Sequence, residues 1–379
     1  QCFDHLRFWN HILAIKKIDL LLMYHIPHQC YDYVLYNLCK LKGIPTLMIE
    51  RTCSFDTFFI IDDWEESSRE LGERLGILQK EYGDPRKKIP LDKEYEKHFV
   101  AQTERNEDPW YMEQFKDQMK QKSFMSKWFF VAIKILLKRT GTFISCVVSS
   151  AFWKRKIRQH NTAKFYDKNT KTPNLDKPYI YAPLHMQPEA TTSPMAGAFV
   201  DQERIVQLIA AYLPPDVRIY VKEHPCQGER MRSKKFYESL LAIPAVTLVP
   251  REFDTFQLTK NAAAIATATG TAGLEGLFRE VPVLMFGHRF YQYAPGVHMI
   301  RTSQDCKQAM EKIFQKKERP SPRDMRLFLR AVQETGTYYE DVISGPNEAE
   351  IRKDRAGLLG EKISQAIQQK FPAHAETIC

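Results

Sequence analysis

The chain has 379 residues, a hydrophobic fraction of 44%, an aromatic fraction of 12% and a formal net charge of +9. That length and apolar content exclude a disordered chain and favour two domains, each able to bury its own core. The positive balance narrows partners to anionic ones, whether a nucleotide, a nucleic acid, an acidic sugar or a membrane surface, without choosing among them.

Eight cysteines are scattered with no C-x-x-C spacing, which argues against a zinc knuckle or a dense disulfide framework and fits reduced thiols in the cytosol. The first residue is Gln1 and Phe3 to Leu22 already reads as structured chain, so the N-terminus is expected to be truncated. Phe3 to Ile15 has helical spacing, Ile18 to Tyr24 reads as a buried strand, and His25-Ile-Pro-His28 breaks it. A helix over Tyr31 to Leu41 and a strand over Ile44 to Ile49 complete one βαβ unit of a parallel sheet. His25 and His28 follow the first strand, on the edge where open α/β sheets bind ligands, although loop histidines are also commonly just exposed.

From Asp62 to about Gln121 the chain turns polar and reads as solvated helices and loops inserted into the first domain, with Asp62 and Asp63 as weak acceptor-side candidates. Two apolar runs follow within Phe124 to Arg158, each shorter than the ~20 residues a bilayer span needs. Their flanking tryptophans and basic residues fit either an interfacial element meeting anionic lipid or a helix pair packed on the protein's own core. Residues 161–178, polar with Pro173 and Pro178, are the best linker candidate. Beyond them strands at Tyr179 to Leu184, Val217 to Val221, Val246 to Val249, Ala263 to Ala266 and Val281 to Phe286 alternate with helices. That alternation predicts a doubly wound α/β sheet, and Glu348 to Gln369 reads as a last helix.

Three clusters stand at strand ends of this second sheet. After the first strand come His185, Gln187, Glu189, Thr191 and Thr192, in which the Glu189 carboxylate has amide and hydroxyl donors close by to hold it as a base. After the second, Lys222, Glu223, His224 and Pro225 bring a cation, a carboxylate and an imidazole to the edge, as a solvated strand end or as a site. The third is Thr267 to Glu275, where Thr269, Gly270 and Thr271 run from strand into helix as a cradle for an anion without P-loop spacing, or as an ordinary small-residue cap. Glu275, one turn on, has the reach to accept a sugar hydroxyl. All three clusters could converge on one cleft.

The motifs Pro183-Leu-His-Met-Gln-Pro-Glu-Ala-Thr-Thr192, Tyr220-Val-Lys-Glu-His-Pro225 and Thr269-Gly-Thr-Ala-Gly-Leu-Glu275 resemble the capsule polysaccharide biosynthesis type of glycosyltransferases, related to Kdo (3-deoxy-manno-oct-2-ulosonic acid) transferases. The likeness is good over residues 179 to about 300 and general before that. It implies a GT-B enzyme, with an acceptor-side Rossmann-like domain over 1–172, a nucleotide-sugar-binding one over 173–345 and a C-terminal helix over 346–379. It further implies His224 at the donor phosphate, with Thr269, Gly270 and Thr271 helping to bind it, and Glu189 as the catalytic carboxylate; the strand-end positions themselves add His185, Gln187, Lys222 and Glu275 as candidates around the donor. His25 and His28 fall on the acceptor side. Many Kdo-transferase relatives carry Gln where this chain has His185 and Asp where it has Glu189, which leaves donor and stereochemical course open.

The expected activity is transfer of a sugar from a nucleotide donor, CMP-Kdo being one candidate, to a surface or capsular glycan or glycolipid. No cofactor and no metal are expected, since the chain offers no Asp-x-Asp at a strand end. The expected setting is cytoplasmic, peripheral on the inner face of the membrane through 124–158, with no nucleic-acid partner because no recognition module is present. A GT-B nucleotide-sugar epimerase and a non-catalytic scaffold of polysaccharide assembly are the alternatives.

Overall fold

The structure is a computed structural model that describes residues 2–52, 54–105, 150–224, 227, 232–339 and 348–372. Among the described residues there are two sheets, as a chain of two α/β units is expected to have, a mixed one of four strands and a parallel one of six. In the first, helix α1 (Cys2–Ile15) precedes strand β1 (Leu21–Met23), helix α2 (Cys30–Leu41) and strand β2 (Thr46–Arg51), with β1 and β2 parallel and Leu21 opposite Thr46. This is the βαβ unit that the spacing predicts. Strand β3 (Thr57–Ile61) runs antiparallel to β2 and is not among the predicted elements. Thr57, Phe58, Phe59 and Ile61 are all buried, so an apolar run at the edge of a polar stretch is a core strand.

Within the polar stretch, helix α3 (Arg69–Glu81) buries Leu71, Leu75 and Leu78, one stripe at helical spacing, and its Ser68 cap accepts from the Leu71 amide. Helix α4 (Lys93–Val100) follows. The partner of α3 comes from the far end of the chain: helix α11 (Pro322–Thr335) starts at a Ser321–Asp324 capping box with proline in its first turn and buries Met325, Phe328, Leu329 and Val332 against it. After it, Thr337–Tyr338 (β10) pairs antiparallel with β3, and Ala366 and Ile367 of helix α12 (Glu348–Lys370) bury against Leu47. The chain beyond 321, expected in the second domain as far as 345, is thus packed on the first sheet.

The second sheet is wholly parallel. Its strands are β4 (Tyr179–Pro183), β5 (Arg218–Lys222), β6 (Val246–Val249), β7 (Ala264–Thr267), β8 (Val283–Met285) and β9 (Val297–Met299), in the order β6-β5-β4-β7-β8-β9. Tyr179 to Ala182 and Ile219 to Val221 are buried without interruption, as strands covered on both faces must be. The order reverses between β4 and β7, and an open α/β sheet binds its ligand in the crevice at that switch. Helices α6 (Gln202–Ala211), α7 (Lys234–Leu241), α8 (Thr255–Lys260), α9 (Thr271–Leu277) and α10 (Ser303–Met310) cover the faces.

Helix α5 (Ser150–Lys168) departs from the expectation of a linker over 161–178 attached to the first domain. Tyr166 is fully buried in the second unit, its hydroxyl donating to the Val249 carbonyl at 2.6 Å, and Thr170 bridges Leu248 of β6, so this stretch packs on the second unit. Among the described residues no helix is long and apolar enough to cross a membrane, and the expected interfacial segment lies outside the described residues from 124 to 149.

The loop after β8 joins the units. The Glu50 carboxylate, 1% exposed at the end of β2, accepts from the Phe290 amide at 3.0 Å and from the Ser67 hydroxyl. His288 donates to the Glu65 carbonyl at 2.6 Å, and Tyr293 to the Glu66 carbonyl at 2.6 Å. Phe328, 0% exposed, sits in the core shared by α3 and α11. Phe328→Ala is expected to cost about 3–5 kcal/mol, read as a lower denaturation midpoint; a change under about 1 kcal/mol would show that α11 is not part of that core.

Candidate functional site

The site forms at the switch point, where the loops after β4, β5 and β7 meet. The backbone of His185 is clamped by Gln202, the first residue of α6, whose Oε1 accepts the His185 amide at 2.7 Å and whose Nε2 donates to the His185 carbonyl at 3.2 Å. The imidazole crosses to the β7 loop. Its Nε2 accepts from the Ala268 amide at 3.0 Å and lies 2.9 Å from the Thr267 hydroxyl, so the ring proton belongs on Nδ1. Burial, helped by the positive charges of His224 and Arg232, pushes the ring down to about 3, and His185 is a neutral N–H donor at working pH. A Cβ on Gly270 would stand 2.8 Å from its Cε1, which is why glycine occupies that place.

Beneath the β4 loop lies a buried ion pair. Glu223 accepts from Arg232 Nε at 2.8 Å, from the Tyr237 hydroxyl at 2.6 Å and from the His224 amide at 2.9 Å. Arg232 also donates through Nη2 to the His185 carbonyl at 2.8 Å and through Nη1 to Gln187 Oε1. Gln187 is further held by Gln227, whose Oε1 accepts its amide at 2.8 Å. Sequence patterns did not single out Arg232, Gln202, Gln227 or Tyr237. None belongs to a motif, and each acts only because the fold brings it within reach of a strand end.

The remaining candidates divide. Glu189 is half-buried, its Oε2 accepting from the Thr191 hydroxyl at 3.0 Å, and burial raises its carboxyl above the ordinary range although Thr191 and Arg289 oppose this. A half-buried carboxyl with a raised value is the kind of group that can take up a proton in a cleft. His224 is half-buried beside Glu223, with burial the largest influence and a lowered value the result. Thr269 is buried and donates its hydroxyl to the Thr191 carbonyl at 2.7 Å, which ties the third loop to the first. Gly270 caps α9 and offers its carbonyl to Tyr291 at 2.6 Å, and Thr271 and Glu275 lie on that seven-residue helix. Lys222 turns to the other face of β5: its ammonium donates to the Thr255 hydroxyl at 2.7 Å, and burial pushes it down to about 8.

On the first unit, His28 lines a cavity of about 440 Å³ together with Trp64, Glu65, Thr192, Ser193 and Pro194, so it faces the chain just after Glu189. His25 does not line it. Asp62 and Asp63 are paired with Arg69 and Lys40 on the first unit's surface.

Two outcomes follow from this geometry. Arg232→Met strands the Glu223 charge and is expected to cost about 3–5 kcal/mol, whereas Glu223→Gln/Arg232→Met recovers most of it; denaturation midpoints test this, and equal losses would contradict it. The folded value of His185 lies below its ordinary 6.5, so its contribution to stability is full above 6.5 and is lost as pH falls toward 3. Between pH 7 and pH 5 the denaturation midpoint of His185→Gln should therefore fall less than that of the parent; an equal fall would overturn the neutral ring.

Residues 154–339 match the family described as capsule polysaccharide biosynthesis protein. No curated protein matches the chain. Among solved structures, KpsC of Thermosulfurimonas dismutans, a beta Kdo 2,7 transferase, is 12% identical with a TM-score of 0.38, over 88% of this chain and 82% of that one. A UDP-GlcNAc 2-epimerase from Methanocaldococcus jannaschii is 13% identical with a TM-score of 0.33, over 88% and 80%. HepE of Anabaena, in complex with UDP-glucose, is 12% identical with a TM-score of 0.29, over 42% and 44%. Residues 154–339, the segment that matches that family, hold all three switch-point loops.

Proposed function

We propose that the protein is a glycosyltransferase that moves a sugar from a nucleotide-activated donor, CMP-Kdo being one candidate, to a surface or capsular polysaccharide acceptor. One observation carries the reading: the segment that matches the capsule family contains three loops that hydrogen bonds draw together at the switch point of a parallel sheet. Donor phosphate takes the place between His224, the Nδ1–H of His185 and the backbone at Gly270 and Thr271, where fixed donors stabilise a leaving phosphate without a divalent ion. Glu189 is the base that takes the proton of the acceptor hydroxyl, and Glu275 accepts from a donor hydroxyl. The acceptor glycan enters through the cavity beside His28 and Thr192. In this reading the protein works in the cytoplasm at the membrane face, with 124–158 as its peripheral contact.

The test is release of free nucleotide from CMP-, UDP- and GDP-sugars with and without crude acceptor glycan. Release that requires acceptor is expected with one donor; a rearranged sugar nucleotide formed without acceptor would instead identify an epimerase. Glu189→Gln should lower kcat by about 10²–10⁴-fold. Because burial raises the Glu189 carboxyl, the parent's rate should fall with acid at a pH above the ordinary carboxylate range, and that limb should vanish in the variant. Undiminished turnover in both Glu189→Gln and His224→Ala would overturn the roles of these two residues.

A further inference from the structure

The loop between β1 and α2 carries chemistry that donor binding does not use. His25, His28 and Asp32 bring one nitrogen of each imidazole and one carboxylate oxygen within 4.8 Å of one another. The two rings lie 4.7 Å apart between centroids. Their Nδ1 atoms meet the same group, the Ile26 carbonyl, at 2.9 Å from His25 and 3.1 Å from His28. A carbonyl oxygen can only accept, so each neutral ring carries its proton on Nδ1 and keeps its Nε2 lone pair for another partner. A backbone carbonyl holding the far N–H of a histidine is the arrangement that orients metal-binding imidazoles and fixes their tautomer.

Asp32 supplies an independent observation. It is 4% exposed; one oxygen accepts from the Gln29 amide at 2.7 Å, and the other, Oδ2, is buried with no hydrogen-bond partner. A buried carboxylate oxygen without a donor is unfavourable, and a cation shared with the two imidazoles removes the defect. Two imidazoles and a carboxylate are the donor set of a borderline-soft divalent transition ion rather than of magnesium or calcium, which take oxygen ligands. We propose that His25, His28 and Asp32 bind one divalent transition-metal ion of the zinc type. Three protein ligands leave a fourth position for water or for an oxygen of a molecule in the cavity that His28 lines. The ion sits on the acceptor side, apart from the donor-phosphate loops, and the proposal does not depend on the transferase reading.

The test uses the full chain without a histidine tag, stripped with chelator, desalted and titrated with Zn²⁺ by calorimetry, then with Co²⁺ as an absorbing substitute. One equivalent should bind in each case, with the visible bands of four-coordinate Co²⁺. Loss of a direct ligand should weaken binding by more than the roughly 10–100-fold typical of losing a partner behind a ligand. Asp32→Asn, which retains the oxygen that caps α2, and His25→Ala/His28→Ala should both show this, with circular dichroism confirming their fold. Should the double variant fail to fold, His28→Gln carries the same expectation at a half-buried position. Absence of saturable binding in the parent, or unchanged affinity and stoichiometry in the variants, would overturn the assignment.

Discussion

A carboxylate with no exposed surface governs the arrangement of the switch point. Glu223, 0% exposed at the end of β5, has exchanged water for Arg232, Tyr237 and its neighbour's amide. Burying that charge alone would cost several kcal/mol, so Arg232 must stay in one place, itself only 8% exposed. Because its fork is fixed, Nη2, which also reaches Glu223, becomes a rigid donor to the His185 carbonyl, and Nη1 one to Gln187. The constraint then passes through the His185 ring to the Ala268 amide, and through Thr269 back to Thr191. The pair therefore acts through placement: it fixes where the loops of three strands stand relative to one another.

Much of this was legible in the chain and some was not, for a physical reason. Uninterrupted apolar runs such as Ile219 to Val221 announce buried parallel strands, and the strand-end positions of His185, His224 and Gly270 follow from them. What a polar side chain at a strand end does depends on which face of the pleat it takes. Lys222 and Glu223 are adjacent, so they point oppositely, Lys222 toward Thr255 and Glu223 toward Arg232. Arg232 was invisible because its meaning comes from a carboxylate nine residues away, with no regular sequence pattern linking the two. Thr57 to Ile61 was legible as well: four of its five residues are large and apolar, the run that a short buried strand shows.

The two units are coupled through a second buried carboxylate. Glu50 closes β2 of the first sheet and receives the Phe290 amide from the loop that leaves β8 of the second, while Arg289 beside it donates to the Arg51 carbonyl at 2.9 Å. Arg289 also bears electrostatically on Glu189. One arginine thus hydrogen-bonds at the joint between the units and adds positive charge near the Glu189 carboxyl.

The return of the chain to its first sheet has a consequence for how the molecule comes into being. The second sheet is contiguous, its last strand ending at Met299, whereas the first sheet receives its fourth strand at Thr337–Tyr338 and the cover over Leu47 only with Ala366 and Ile367. During synthesis the later unit is therefore the first to possess all its strands. The earlier one must wait, with α3 lacking its partner and the apolar face of β3 uncovered, until Ala366 and Ile367 have been made.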